Sequence, residues 1–161
     1  MKPFNNYGVS SSLNNRTKPT HFVTISLNKS ISEIGPDGVK RWIPGDDTRF
    51  EGAALAFIAS VSKSFIALNR WKRFKPSLPT TGAIEGGGFK TPPHVHLSIR
   101  KPAGVSNFHF ELRLREKARG NRWFKDGPFS IKIQRLAAPS DGLQAIGYSL
   151  KEGLSRALIA G

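Results

Sequence analysis

At 161 residues, with 25 Lys and Arg against 11 Asp and Glu, the chain carries a formal charge of +14, which makes a polyanionic partner the first inference. The lack of cysteine excludes disulfides, thiolate metal sites and cysteine nucleophiles, and no apolar run approaches the roughly 18 residues that cross a bilayer. An apolar content of 38%, with eleven Phe and three Trp, excludes a wholly disordered chain, and the length suits one domain around one core.

Residues 1–19, rich in Asn, Ser and Lys without apolar periodicity, read as a flexible N-terminal arm, with the folded domain over residues 20–161. From His21 to Leu27 the side chains alternate, Val23, Ile25 and Leu27 against Thr24 and Ser26, as in a strand buried on one face. The turn clusters Gly35-Pro36-Asp37-Gly38 and Pro44-Gly45-Asp46-Asp47 predict a loop or short hairpin. Between Phe50 and Trp71, Ala54, Phe57, Ile58, Val61, Phe65 and Leu68 follow helical spacing, which predicts the longest helix. Thr80 to Glu85 and His94 to Arg100 are short strands joined by a Gly- and Pro-rich loop, hence neighbours in a hairpin. Residues 105–118 carry two signals: Phe108, Phe110, Leu112 and Leu114 alternate, whereas Glu111, Arg115, Lys117 and Ala118 favour helix. The alternation assigns a strand. Phe129 to Ile133 alternates likewise, and Pro139-Ser140-Asp141 opens a last helix through Leu143, Ile146, Leu150 and Leu154. The expected architecture is α+β, a central antiparallel sheet of about five strands with helices on one side.

The chemistry concentrates in Gly82 to Ile99. Period two along a strand sends His94, His96 and Ser98 to one face and Val95, Leu97 and Ile99 into the core. A hairpin brings Glu85 beside the two imidazoles, completing a two-His, one-carboxylate metal set with positions open for a phosphate oxygen. On its own a His-x-His pair more often marks a polar sheet face; the upstream Glu, the basic charge and a late Tyr-x-x-Lys element tip the reading towards a metal. In that element, Tyr148 and Lys151 lie three apart on the last helix, so the ammonium approaches the hydroxyl. With a free pKa of about 10, a tyrosine nucleophile needs such a cation and a polarised phosphate. Basic and aromatic residues interleave in Arg70-Trp-Lys72-Arg73-Phe-Lys75 and Arg119-Gly-Asn-Arg122-Trp123-Phe-Lys125. These are candidate DNA-binding segments, pairing phosphates and stacking unpaired bases, with a solvated helix end and loop as the competing account.

In order along the chain, Phe22-Val-Thr-Ile-Ser-Leu27, His94-Val-His96-Leu-Ser-Ile99 and Tyr148-Ser-Leu-Lys151 resemble the three motifs of HUH endonucleases of the rolling-circle replication initiator type with a single catalytic tyrosine. The resemblance runs from about residue 21 to 152. It implies the ferredoxin-like, RRM-like HUH nuclease fold, with Mg²⁺ or Mn²⁺ held by Glu85, His94 and His96 facing Tyr148. It further implies a nick in a single-stranded DNA origin or hairpin through a 5′-phosphotyrosine that is later rejoined. Lys151 offsets negative charge, and Thr24 and Ser26 either contact DNA or complete the sheet. A host helicase is an implied partner, since no Gly-x-x-x-x-Gly-Lys-Ser/Thr pattern occurs. A membrane is not, and the expected location is a bacterial cytoplasm, or the host nucleus for a eukaryotic virus. Two rivals remain: a conjugative relaxase-type nickase, for which Tyr7 is the N-terminal candidate, and a basic nucleic-acid-binding module without catalysis.

Overall fold

The computed structural model describes residues 7–87, 91–151 and 156–161. In chain order the elements are α1 (Tyr7–Thr17), β1 (His21–Ser26), β2 (Ser30–Ile34), β3 (Lys40–Pro44), α2 (Asp47–Phe65) and α3 (Leu68–Phe74). There follow β4 (Thr80–Glu85), β5 (His94–Ile99), α4 (Asn107–Arg119), β6 (Ile131–Arg135), α5 (Pro139–Ser149) and β7 (Ala157–Ala160). The fold is α+β. Five strands form one antiparallel sheet in the order β6-β1-β5-β4-β7, while β2 and β3 pair separately as a hairpin across the expected turn.

Alternation along the strands creates two chemically different faces. On one, Val23, Ile25, Ile84, Val95, Leu97 and Ile99 pack against Phe57 and Val61 of α2 and Phe110 and Leu114 of α4 in the main core. Burial of side chains of this size stabilises by roughly 1.5–3 kcal/mol each. The opposite face carries Phe22, Thr24, Thr81, Ala83, Glu85, His96 and Ser98. There α5 crosses β4 and β5 with α1 beside it, and Leu13, Ile146 and Leu150 form a second, smaller cluster. Helices therefore cover both faces, not one as the sequence pattern suggested. The reason lies in β4, which is buried at every position: Thr81 and Ala83 are small enough to admit a helix over a face that reads as polar.

Three further elements differ from expectation. The arm contains a helix, because α1 binds through small polar groups together with Leu13 instead of a full apolar stripe. Ser10 and Thr17 are buried, Thr17 Oγ1 lies 2.6 Å from Thr81 Oγ1, and Asn14 Nδ2 donates to the Pro139 carbonyl. Residues 107–119 form a helix, capped by Ser106, whose hydroxyl accepts from the His109 N–H. Phe110, Leu114 and Ala118, four apart, are buried, whereas Phe108 and Leu112 are exposed, so the alternation was accidental. The long helix ends at Phe65, where Ile66 turns extended, and α3 follows with Leu68 exposed. β6 begins two residues later than expected, and β7 carries no alternation long enough to be read. Leu154 lies outside the described residues.

Candidate metal centre and its tyrosine

Sheet register assembles the site. Across β4 and β5, Glu85 stands directly opposite His94 and Ala83 opposite His96; across β1 and β5, Thr24 stands opposite His96 and Ser26 opposite His94. Side chains on directly opposed residues of one face are nearest neighbours, so the hairpin and one flanking strand suffice to gather the group. Glu85 Oε2 is 3.2 Å from His94 Nε2 and 3.3 Å from His96 Nε2. One ligand atom from each of the three residues lies within 4.8 Å of the other two, so Glu85, His94 and His96 form a group that can hold a metal ion.

Proton placement supports that use. His94 Nδ1 is 3.0 Å from the Pro92 carbonyl oxygen, which can only accept, so Nδ1 carries a proton and Nε2 is the ring nitrogen turned to Glu85 Oε2. His96 Nδ1 is 2.9 Å from Thr24 Oγ1, and its Nε2 also faces Glu85 without a hydrogen bond. Burial, opposed by the Glu85 charge, pushes the His96 pKa down to about 4, so at neutral pH this ring is the uncharged ligand form. Glu85 Oε1 is a second buried acceptor with no hydrogen-bond partner among the described residues. Buried polar atoms are rarely left unsatisfied, and a cation held by this group would answer both Glu85 Oε1 and His96 Nε2.

Tyr148 on α5 and Lys151 in the turn just past the end of that helix, not on the helix itself as the spacing predicted, close the group. The Tyr148 ring stands edge-on to His96 at 5.1 Å and to Phe22 at 6.4 Å, half exposed on its outer side. Phe22 in turn stacks on His96 at 5.2 Å with the planes 11° apart. Lys151 Nζ lies 3.9 Å from the Tyr148 ring centroid and 3.0 Å from Glu85 Oε2. Hydrogen bonding to Tyr148, followed by the Glu85 interactions, raises the Lys151 pKa, so it is an ammonium at neutral pH. The three-residue spacing placed it beside the tyrosine as expected; its contact with Glu85 was not foreseen.

The structure sorts the remaining expected residues. Thr24 orients His96, and Ser26 sits half-buried at the end of β1. Lys125 donates its backbone N–H to the Ser26 carbonyl, which brings the Arg119–Lys125 segment to the end of the sheet holding Glu85 and His94. In that segment Arg119, Arg122 and Lys125 are exposed, and Arg122 pairs with Glu33 at 3.2 Å. Trp123 does not fit the expected stacking role: it is buried, edge-on to Phe50 at 5.9 Å, because it closes the main core. Arg70, Lys72 and Arg73 are exposed on α3, which leads into the Thr80 end of β4, the far end from Glu85. Tyr7 opens α1, and its side chain lies outside the described residues. Sequence reasoning missed Phe22, although an aromatic at a polar-face position of an alternating strand was a signal. It also missed Arg156, which bonds the Gly86 carbonyl and Asp47.

No helix among the described residues is long and apolar enough to cross a membrane. Scans against protein-family models, curated proteins and solved structures return no match for this chain.

Proposed function

We propose that this protein is a metal-dependent DNA endonuclease and strand transferase of the HUH type, a replication initiator that nicks and rejoins single-stranded DNA at an origin. The observation that carries this reading is the gathering of Glu85, His94 and His96 beside a half-exposed tyrosine whose ring lies 5.1 Å from His96. The charge of +14 suits the substrate.

Glu85, His94 and His96 would hold Mg²⁺ or Mn²⁺, for which a carboxylate with two imidazoles and no thiolate is a suitable donor set. When bound, the ion polarises a phosphodiester oxygen and offsets charge developing on it. The Pro92 carbonyl holds a proton on His94 Nδ1, leaving Nε2 as the ligand atom, and Thr24 holds the His96 ring in place. Tyr148 supplies the nucleophile: its oxygen bonds to phosphorus, the bond from phosphorus to the 3′ oxygen breaks, and the phenolic proton is balanced by protonation of that leaving oxygen. The products are a 5′-phosphotyrosine and a free 3′ hydroxyl, and attack by a 3′ hydroxyl reverses the step without ATP. Lys151, as an ammonium beside the Tyr148 ring, would counter negative charge developing at the phosphorus oxygens during attack. A host helicase would open the duplex beyond the nick.

Labelled single-stranded DNA incubated with the protein and Mn²⁺, then denatured, tests the reading. A denaturation-resistant adduct that disappears with EDTA is expected; DNA binding without any adduct across a random-sequence pool would favour the non-catalytic alternative.

A further inference from the structure

The face that bears the metal group continues past β1 onto the edge strand β6, where Lys132 stands opposite Thr24 and Gln134 opposite Phe22. Above that edge, α5 carries Gln144 and Tyr148 four apart, one helical turn. Between strand and helix opens a pocket of about 360 Å³ walled by Phe22, Gln134, Leu136, Gln144, Ala145 and Tyr148. Asp141 also borders it, but its carboxylate accepts from the backbone N–H groups of Ala137 and Ala138 and is committed to holding the start of α5.

The lining has a definite chemistry. The Phe22 and Tyr148 rings stand 88° apart, offering an aromatic face and an aromatic edge to a flat guest. Leu136 and Ala145 add apolar wall, and two primary amides each offer donors and an acceptor. Lys132, exposed on the same face, is placed for a phosphate. An acidic peptide would find one lysine and two neutral amides, and a lipid surface would find a recess; a nucleobase finds stacking surface and hydrogen-bonding edges together. Tyr148 is a wall of both this pocket and the metal site, so a guest here is the immediate neighbour of the phosphate attacked.

We infer that this pocket receives the nucleobase adjoining the scissile phosphate and that Gln134 and Gln144 read its edge, with adenine, the base that pairs bidentately with an amide side chain, as the preferred occupant. The inference rests on the nicking reading above and adds the origin of its sequence preference. Neither glutamine touches the metal group, so both are specificity residues with no part in bond breaking.

The test uses the full chain, Mn²⁺ and a single-stranded pool randomised on both sides of the nick, with adducted strands isolated and sequenced. Wild-type protein should prefer adenine at one position flanking the nick by about tenfold, the discrimination of one good bidentate contact. Gln134→Ala and Gln144→Ala should flatten the preference at that position alone, with adducts still formed on the non-preferred bases and Mn²⁺ affinity unchanged. Adducts with an unaltered preference in both variants would overturn the inference while leaving nicking intact, as would preferences weakened equally at all positions. Absence of any wild-type adduct would instead remove the nicking reading, and this inference with it.

Discussion

Thr24 shows how a residue expected to touch DNA or merely finish a strand acquires a more specific duty. Its hydroxyl is the partner of His96 Nδ1, and outer partners of this type set the tautomer and basicity of a ligating imidazole. Thr24→Val keeps the shape and removes the oxygen. We expect its Mn²⁺ affinity, measured by calorimetric titration, to fall about tenfold or more with little change in melting temperature; unchanged affinity would deny Thr24 that role. The buried histidines also set a pH dependence. His21 and His96 are both held below the ordinary value of 6.5, each chiefly by burial, and His96 falls to about 4. The unfolded chain therefore takes up protons first as pH drops. The metal-free protein should lose stability between about pH 6.5 and pH 4, seen as a falling urea midpoint, and His96→Asn should lessen the fall. At this scale the candidate ligands were legible, because Glu85, His94 and His96 are fixed by alternation and one hairpin. The partners of those residues were not, since Thr24 meets His96 only through register and Lys151 meets Glu85 only through the placement of α5 and the turn after it.

Strands and helices set the precision of the site. Gly82 lies in β4 where a Cβ would meet the His96 carbonyl oxygen at 2.1 Å and Leu97 Cδ2 at 2.7 Å. The close approach of β4 to β5, which holds Glu85 against His94, thus depends on glycine. Gly82→Ala should cost about 1–3 kcal/mol and weaken Mn²⁺ binding as the strands part. Gly52, in the interior of α2 with open space around its Cβ position, is the control: Gly52→Ala should stabilise by about 0.5–1 kcal/mol. Chemical denaturation of the two variants decides the pair, and equal effects would contradict the packing account. The sheet and the last helix could be read from the chain because apolar spacing dominates there. In α4 two periods coexisted, and capping by Ser106 with burial of Phe110 against Phe65 and His21 selected the helix. The helix α1 was illegible because its contacts are hydroxyls, an amide and the lone apolar anchor Leu13, which leave no hydrophobic period.

Over the whole molecule, the charge of +14 is unevenly useful. Lys125 sits at the end of the sheet that holds the metal group, tied to Ser26, whereas Arg70, Lys72 and Arg73 lie at the opposite end of β4. For a short single strand centred on the nick, Lys125→Gln should reduce the salt slope of binding by about 0.7, the value for one phosphate contact, and Arg70→Gln should leave it unaltered. Fluorescence titrations across a salt series read both, and a slope reduced only by Arg70→Gln would place the strand on the wrong side of the protein. The total charge was plain from composition, but its distribution required the fold, because Trp123 is drawn into the core while its basic neighbours stay outside. The proposed function joins charge, sheet and metal group through a covalent bond at the Tyr148 oxygen. Proteolysis of the Mn²⁺-dependent adduct followed by mass spectrometry tests it directly. The account predicts a nucleotide mass on the peptide containing Tyr148 and none in Tyr148→Phe; a nucleotide on the peptide containing Tyr7, or an adduct persisting in Tyr148→Phe, would contradict it.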